Sequence, residues 1–233
     1  MSARGIIAVG DSITAHCSED LALDGIPALS WVEWVARTLN VPISVFAKPG
    51  AATDEILRLL PEDMPNAEIA LVFAGVNNTL SWRNWRVLDL EEQLSTLLNR
   101  LKEHSDKVVI LQIPELLGKS RALYPYGPWL RRRTKLARAI ITRVASAYEA
   151  TLVDVPEMTG KKIWIDGVHP TSVGHLAMAD ATLAALGSHT LASDLDWTPV
   201  AVRIDFKRWK RKSQIRFILL QPIRGIGAWL LGH

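Results

Sequence analysis

A serine hydroxyl and an imidazole with its own carboxylate stand at the two ends of one patterned stretch of this chain. Gly10-Asp11-Ser12-Ile13-Thr14 directly follows the first apolar run, residues 5–9, and Asp166-Gly167-Val168-His169-Pro170 comes just before the last amphipathic run. A serine is a poor nucleophile until a base takes its proton, and the base works best when a third group fixes its tautomer. Ser12, His169 and Asp166 are the residue types for that arrangement, and the chemistry is acyl transfer. Pro170 biases His169 toward an extended backbone, away from the helix expected to follow.

Those side chains meet only if the fold brings distant segments together. Short Val/Ile-rich runs at residues 5–9, 43–47, 69–74, 108–113 and 152–155 are nearly continuous in hydrophobicity, as strands of a parallel sheet covered on both faces should be. Amphipathic runs at 30–39, 53–60, 88–104, 126–147 and 171–186 alternate with them. Ser30 is placed as an N-cap, Glu55 lies in the first turn of its run, Pro61 stops that run, Pro128 marks a helix start, and Gly187 ends the last run. This alternation predicts an α/β fold: a three-layer α/β/α sandwich around a doubly wound, five-stranded parallel sheet with right-handed crossovers. Ligands of such sheets bind outside the carboxyl ends of the strands. The four motifs fall there: Ser12 after the first strand, Pro49-Gly50-Ala51 after the second, Gly75-Val76-Asn77-Asn78 after the third, and the Asp166/His169 loop after the fifth. Each motif alone is an ordinary turn or cap. It is their convergence on one rim that points to a site.

In these blocks and their order the chain resembles the SGNH hydrolases, the GDSL-type esterases and lipases, over about residues 5–186. The resemblance implies a flavodoxin-like sandwich and a serine-dependent carboxyl-ester hydrolase. By position, Ser12 would attack the acyl carbonyl, His169 would act as general base and then general acid, and Asp166 would hold the imidazole. The oxyanion hole would be made by the backbone N–H groups of Ser12 and Gly50 and the side-chain amide of Asn77. Physical reasons stand beside these roles. A glycine lets backbone N–H approach a substrate with no Cβ in the way, and one amide donor aimed at a developing oxyanion is worth roughly 3–4 kcal/mol. The chain departs from the usual Gly-x-Asn-Asp at its fourth position, which is Asn78. The same machinery serves an O-acyltransferase if an alcohol or sugar hydroxyl replaces water, and a non-catalytic membrane or partner-binding module is the reading from another class. No metal or organic cofactor is required.

The substrate side is expected to involve Asp11, Asn78, Trp82 and Trp164. Nine tryptophans are many for 233 residues. Lys119, Arg121, Arg131, Arg132, Arg133 and Lys135 form a basic stretch near the rim, suited either to an anionic substrate or to a solvated helix start. Cys17 is the single cysteine and is expected to be a neutral thiol, His16 a loop histidine, and His175 structural.

The net charge of +3 hides an asymmetry: from residue 200 onward eight basic residues face one acid, Asp205, whereas the preceding residues carry 19 basic and 23 acidic groups. Residues 1–190 are expected to form the catalytic domain, and 191–233 a linker with a basic amphipathic extension. That extension is too short and too broken by Arg216, Gln221, Pro222 and Arg224 to span a bilayer. Its expected partners are an anionic membrane surface or a second copy through residues 203–231. Nucleic acid is not expected, and a small acyl ester is the substrate class. One cysteine and an apolar run that starts at about residue 5 suggest a cytoplasmic protein, peripheral on a membrane if the tail binds one.

Overall fold

A computed structural model describes residues 4–81, 87–115, 127–163 and 167–200. Five parallel strands form one sheet in the order β2-β1-β3-β4-β5: β1 Ile6–Gly10, β2 Ile43–Ala47, β3 Ala67–Phe73, β4 Ser105–Leu111 and β5 Thr151–Val153. This is the flavodoxin-like order of a doubly wound sheet. The helices are α1 Ser12–Ala15, α2 Trp31–Leu39, α3 Thr53–Leu59, α4 Val76–Leu80, α5 Val87–His104, α6 Gly127–Ala147 and α7 Ser172–Ala185. α2 packs with α7 on one face; α3 and α6 pack with α5, and α4 with α6, on the other. The sandwich is the one expected. β1 and the β3 segment from Ile69 to Phe73 are buried throughout, because helices cover both of their faces, while the edge strand β2 is only half-buried.

Strand ends differ from the apolar runs for one reason. β3 begins at Ala67 and β4 at Ser105, earlier than expected, since the ladder pairs Ala67 with Ser105 and carries polar residues at the entry edge. β4 and β5 stop two residues early, where the backbone leaves the ladder. There Gln112 N–H still donates to Val153 O at 2.8 Å, and its side-chain amide donates to Thr142 Oγ1 at 3.1 Å. The short helices α1 and α4 have no apolar period to announce them.

Two contacts fix the helices that carry the rim. Ser30 caps α2 in a capping box with Glu33, as its sequence position suggested. The next N–H, that of Trp31, donates to His175 Nδ1 at 3.2 Å, so α7 caps the start of α2. His175 is fully enclosed, and burial pulls its pKa down to about 3. It is a neutral acceptor with a structural role. Residues 191–199, expected to belong to a linker, are laid along the body. Ala192 is buried, Trp197 meets Trp34 edge-on with ring centroids 5.5 Å apart, and Val200 N–H donates to Gly25 O at 3.0 Å. The apolar residues of this strap have no regular period, which is why they look like linker. The basic extension, residues 201–233, lies outside the described residues.

His175 makes the fold sensitive to acid. Its folded-state pKa is below its ordinary value, so the unfolded chain binds the proton more tightly and stability is lost as pH falls below about 6.5. Asp11, whose pKa is raised to about 6, opposes this between about 4 and 6. In His175→Gln the amide oxygen can still accept from Trp31 N–H. The stability difference between wild type and this variant should therefore shift against wild type by up to about 1.4 kcal/mol per pH unit from pH 6.5 downward. Urea unfolding at pH 7.5, 6 and 5 checks this, and parallel curves for the two proteins would contradict it.

Candidate active site

The rim is built from the turns that leave β1, β2 and β3 and from the loop before α7. At the end of β1 the chain passes so close to β3 that a Cβ on Gly10 would lie 2.7 Å from Phe73 O and 2.2 Å from Thr14 Oγ1. Only glycine fits. The backbone then turns at once into α1, whose N-cap is Asp11 and whose first residue is Ser12. Asp11 Oδ1 accepts from Ile13 N–H at 2.9 Å, an ordinary cap bond. Its Oδ2 accepts from Asn77 Nδ2 at 3.3 Å. Asp11, expected on the substrate side, is thus turned inward and almost wholly buried, and desolvation raises its pKa to about 6.

After β2, Lys48 to Ala51 form a turn closed by Ala51 N–H donating to Lys48 O at 3.1 Å. Pro49 and Gly50 take its centre, and Gly50 has φ +79°, the position where this turn requires glycine. A Cβ on Gly50 would meet nothing within 4 Å, so its backbone faces open space. After β3, Gly75 with φ +99° turns the chain into α4. Asn77 donates its amide to Ala51 O at 3.0 Å as well as to Asp11, so both amide hydrogens have acceptors in the free protein. The 3.3 Å contact is the weaker of the two and is the one another acceptor would compete for.

Asn78 explains its own departure from the expected aspartate. Its Oδ1 accepts from Thr53 N–H at 3.0 Å and from Thr53 Oγ1 at 2.9 Å, capping α3, whose own N-cap, Ala52, has no side-chain acceptor. Its Nδ2 donates to Gln93 Oε1 at 3.4 Å, a bond that an ionised aspartate could not donate. Asn78 therefore spends its side chain on α3 and α5 rather than on open space.

The imidazole arrives from the far end of the sequence. Ile163 and Pro170 form an isolated antiparallel bridge, and Thr171 N–H donates to Lys162 O at 3.0 Å. α7 lies so tightly against this loop that a Cβ on Gly174 would be 2.1 Å from Lys162 O and 2.8 Å from Pro170 Cβ. The result is that Ser12 Oγ lies 2.9 Å from His169 Nε2. With Nε2 unprotonated the hydroxyl donates to it, which is the geometry of a nucleophile and its base. Asp166, Trp82 and Trp164 lie outside the described residues. Cys17 is buried and its thiol is pushed up to about 12, mainly by desolvation, so it is neutral. His16 is exposed. Among the described residues no group of three or more His, Cys, Asp or Glu side chains is placed to hold a metal ion.

The basic stretch divides. Arg131, Arg132 and Lys135 are exposed at the start of α6, but Arg133 is buried, donates to Asn78 O at 3.2 Å and stacks over Trp129 with 4.3 Å to the ring centroid. The signal was available: residues 130, 133, 134, 137, 141 and 144 share one buried helix face, and Arg133 falls on it.

Residues 8–177 match the GDSL-like Lipase/Acylhydrolase family. No curated protein matches significantly. Solved structures of similar fold include a lipase/acylhydrolase from Enterococcus faecalis, at 23% identity and TM-score 0.62, covering 85% of this chain and 100% of that one. An acetylxylan esterase from Geobacillus stearothermophilus is 18% identical with TM-score 0.60, covering 80% of this chain and 95% of its own. An α/β hydrolase from the metagenome of Lake Arreo, Spain, is 18% identical with TM-score 0.58, covering 82% and 98%.

The tight contact at Gly174 yields a test of how the imidazole is held. Gly174→Ala should cost about 1–3 kcal/mol of stability by overpacking, and it should displace the loop that carries His169. Thermal unfolding together with turnover of a chromogenic ester checks both effects; unchanged turnover in a destabilised variant would mean that the loop is held elsewhere.

Proposed function

This chain belongs to the GDSL-like lipase/acylhydrolase family, and on that footing we propose that it is a carboxyl-ester hydrolase working through an acyl-enzyme on Ser12. The observation that carries the reading is the 2.9 Å approach of Ser12 Oγ to His169 Nε2 across 157 residues of sequence. As Oγ attacks the acyl carbonyl, its proton passes to Nε2 and the carbonyl oxygen becomes an oxyanion. The backbone N–H groups of Ser12 and Gly50 and the Asn77 amide stabilise that charge, Asn77 giving up its long bond to Asp11 as it does so. The imidazolium returns the proton to the departing alkoxide, the alcohol leaves, and Ser12 is acylated. Water repeats the sequence in reverse roles and releases the acid. Asp166, three residues before His169, fixes the tautomer that leaves Nε2 free to accept. As part of the same proposal, Trp82 and Trp164, close in sequence to Asn77 and Asp166, are assigned to binding the acyl group.

Hydrolysis of p-nitrophenyl esters from acetyl to dodecanoyl tests this. Ser12→Ala and His169→Ala should each lower kcat by at least about 10³-fold with the fold intact. Turnover in folded Ser12→Ala close to that of wild type would sink the acyl-enzyme. Stimulation by added acceptor alcohols would reassign the same machinery to acyl transfer.

A second proposal concerns the basic tail. Val200 N–H is tied to Gly25 O, and Leu23 N–H to Ser172 Oγ at 2.8 Å, three residues from His169. Val200, the last described residue, is thus held at the Gly25 loop. Seven net positive charges with Trp209 and Trp229 interleaved suit an anionic lipid surface. No helix among the described residues is long and apolar enough to cross a membrane. The full chain should sediment with vesicles of phosphatidylcholine and phosphatidylglycerol at low salt and be released by salt. A chain lacking residues 201–233 should not sediment, yet should still hydrolyse a small soluble ester. Equal sedimentation of both would refute membrane docking, and tail-dependent dimerisation without vesicle binding would assign the tail to a second copy.

A further inference from the structure

Arg133 is out of keeping with its neighbours. Arg131, Arg132, Lys135 and Leu136 around it on α6 are exposed, whereas Arg133 is 8% exposed. A buried guanidinium is costly unless its donors are needed where it lies. Burial pulls its pKa to about 10, which still leaves it charged at neutral pH. Its Nη2 donates to Asn78 O at 3.2 Å, and Trp129 covers the flat face of the group 4.3 Å away.

The acceptor is what gives the contact meaning. α4 has five residues, too few to hold a helical turn unaided. It stops at Leu80, with Ser81 N–H donating to Asn77 O. Arg133 supplies a donor from another helix, and its positive charge sits at the negative end of the α4 turn. The same residue is held on its other side: the Asn78 side chain is fixed by Thr53 of α3 and Gln93 of α5. Three helices thus clamp one residue, and the residue before it is Asn77, whose amide lies between Asp11 and Ala51. Donors of this kind act only when they are held still before charge develops.

We infer that Arg133 is a positioning residue for the oxyanion donor Asn77, acting through the Asn78 carbonyl that it holds from α6. The inference rests on the reading of Asn77 given under Proposed function. The substrate need not touch the guanidinium; its task is to keep the α4 turn in register with Ser12.

A double-mutant cycle on kcat and KM for a p-nitrophenyl ester tests this, with thermal unfolding in parallel. Arg133→Met should lower kcat about tenfold and leave KM within about twofold. Arg133→Lys should recover part of the loss, since an ammonium can donate to Asn78 O but cannot lie flat on Trp129. In an Asn77→Ala background, Arg133→Met should change kcat by less than about twofold, because the donor it positions is gone. Equal losses in both backgrounds, or a raised KM with kcat unchanged, would overturn the inference. If Arg133→Met does not fold, the same cycle with Arg133→Lys decides. Ser12→Ala separates the two levels: turnover abolished there while the Arg133 losses stay additive overturns the positioning role alone, and turnover that survives Ser12→Ala overturns the acyl-enzyme and this inference with it.

Discussion

A carboxyl group almost cut off from water holds the rim of this protein together. Asp11 accepts one hydrogen bond from Ile13 N–H, which starts α1 and sets Ser12 on its first turn, and one from Asn77, which belongs to the turn after β3. The cost of burying it is visible in its raised pKa of about 6. Such a cost is tolerated where two segments must keep a fixed separation and no apolar contact could specify it. β1 and β3 are neighbours in the sheet, but parallel pairing sets only the height of their ends. The side chains beyond those ends need polar bonds of their own, and Asp11 supplies the first of them.

A second tier lies behind it. Asn78 turns its side chain toward α3 and α5 and offers its carbonyl to α6. The short α4 is therefore shaped from outside, by donors and acceptors that come from every helix on its face of the sheet. On the opposite face, the neutral His175 joins α7 to α2, and Gly174 lets the loop carrying His169 lie directly on α7. The sheet core is apolar and nearly featureless, which suits it to fixing strand order. The bonds among Asp11, Asn77, Ser12 and His169 lie at the carboxyl edge, where sub-ångström placement matters to a reacting pair.

Close packing, rather than backbone freedom, makes several glycines necessary. Gly10 and Gly174 each stand where a Cβ would strike a backbone oxygen, whereas Gly50 stands in open space and is needed for its positive φ. In the sequence all three are simply glycine. The strap formed by residues 191–200 is a related case: Trp197 against Trp34 and Val200 against Gly25 turn what looks like a linker into part of the body.

The sequence by itself determined the strand–helix alternation, hence the parallel sandwich, and the order of the motif blocks along its rim, because hydrophobic period and turn chemistry are local properties. Ser30 as a cap, His175 as a structural histidine and Cys17 as a neutral thiol were legible in the same way. Tertiary structure alone decided which polar groups meet. It turned Asp11 inward, made Asn78 the cap of a distant helix, and brought Arg133 to the Asn78 carbonyl. The physical reason is that a hydrogen bond between residues 25 to 157 positions apart depends on where the sheet delivers each loop, and no local pattern of residue types encodes that distance.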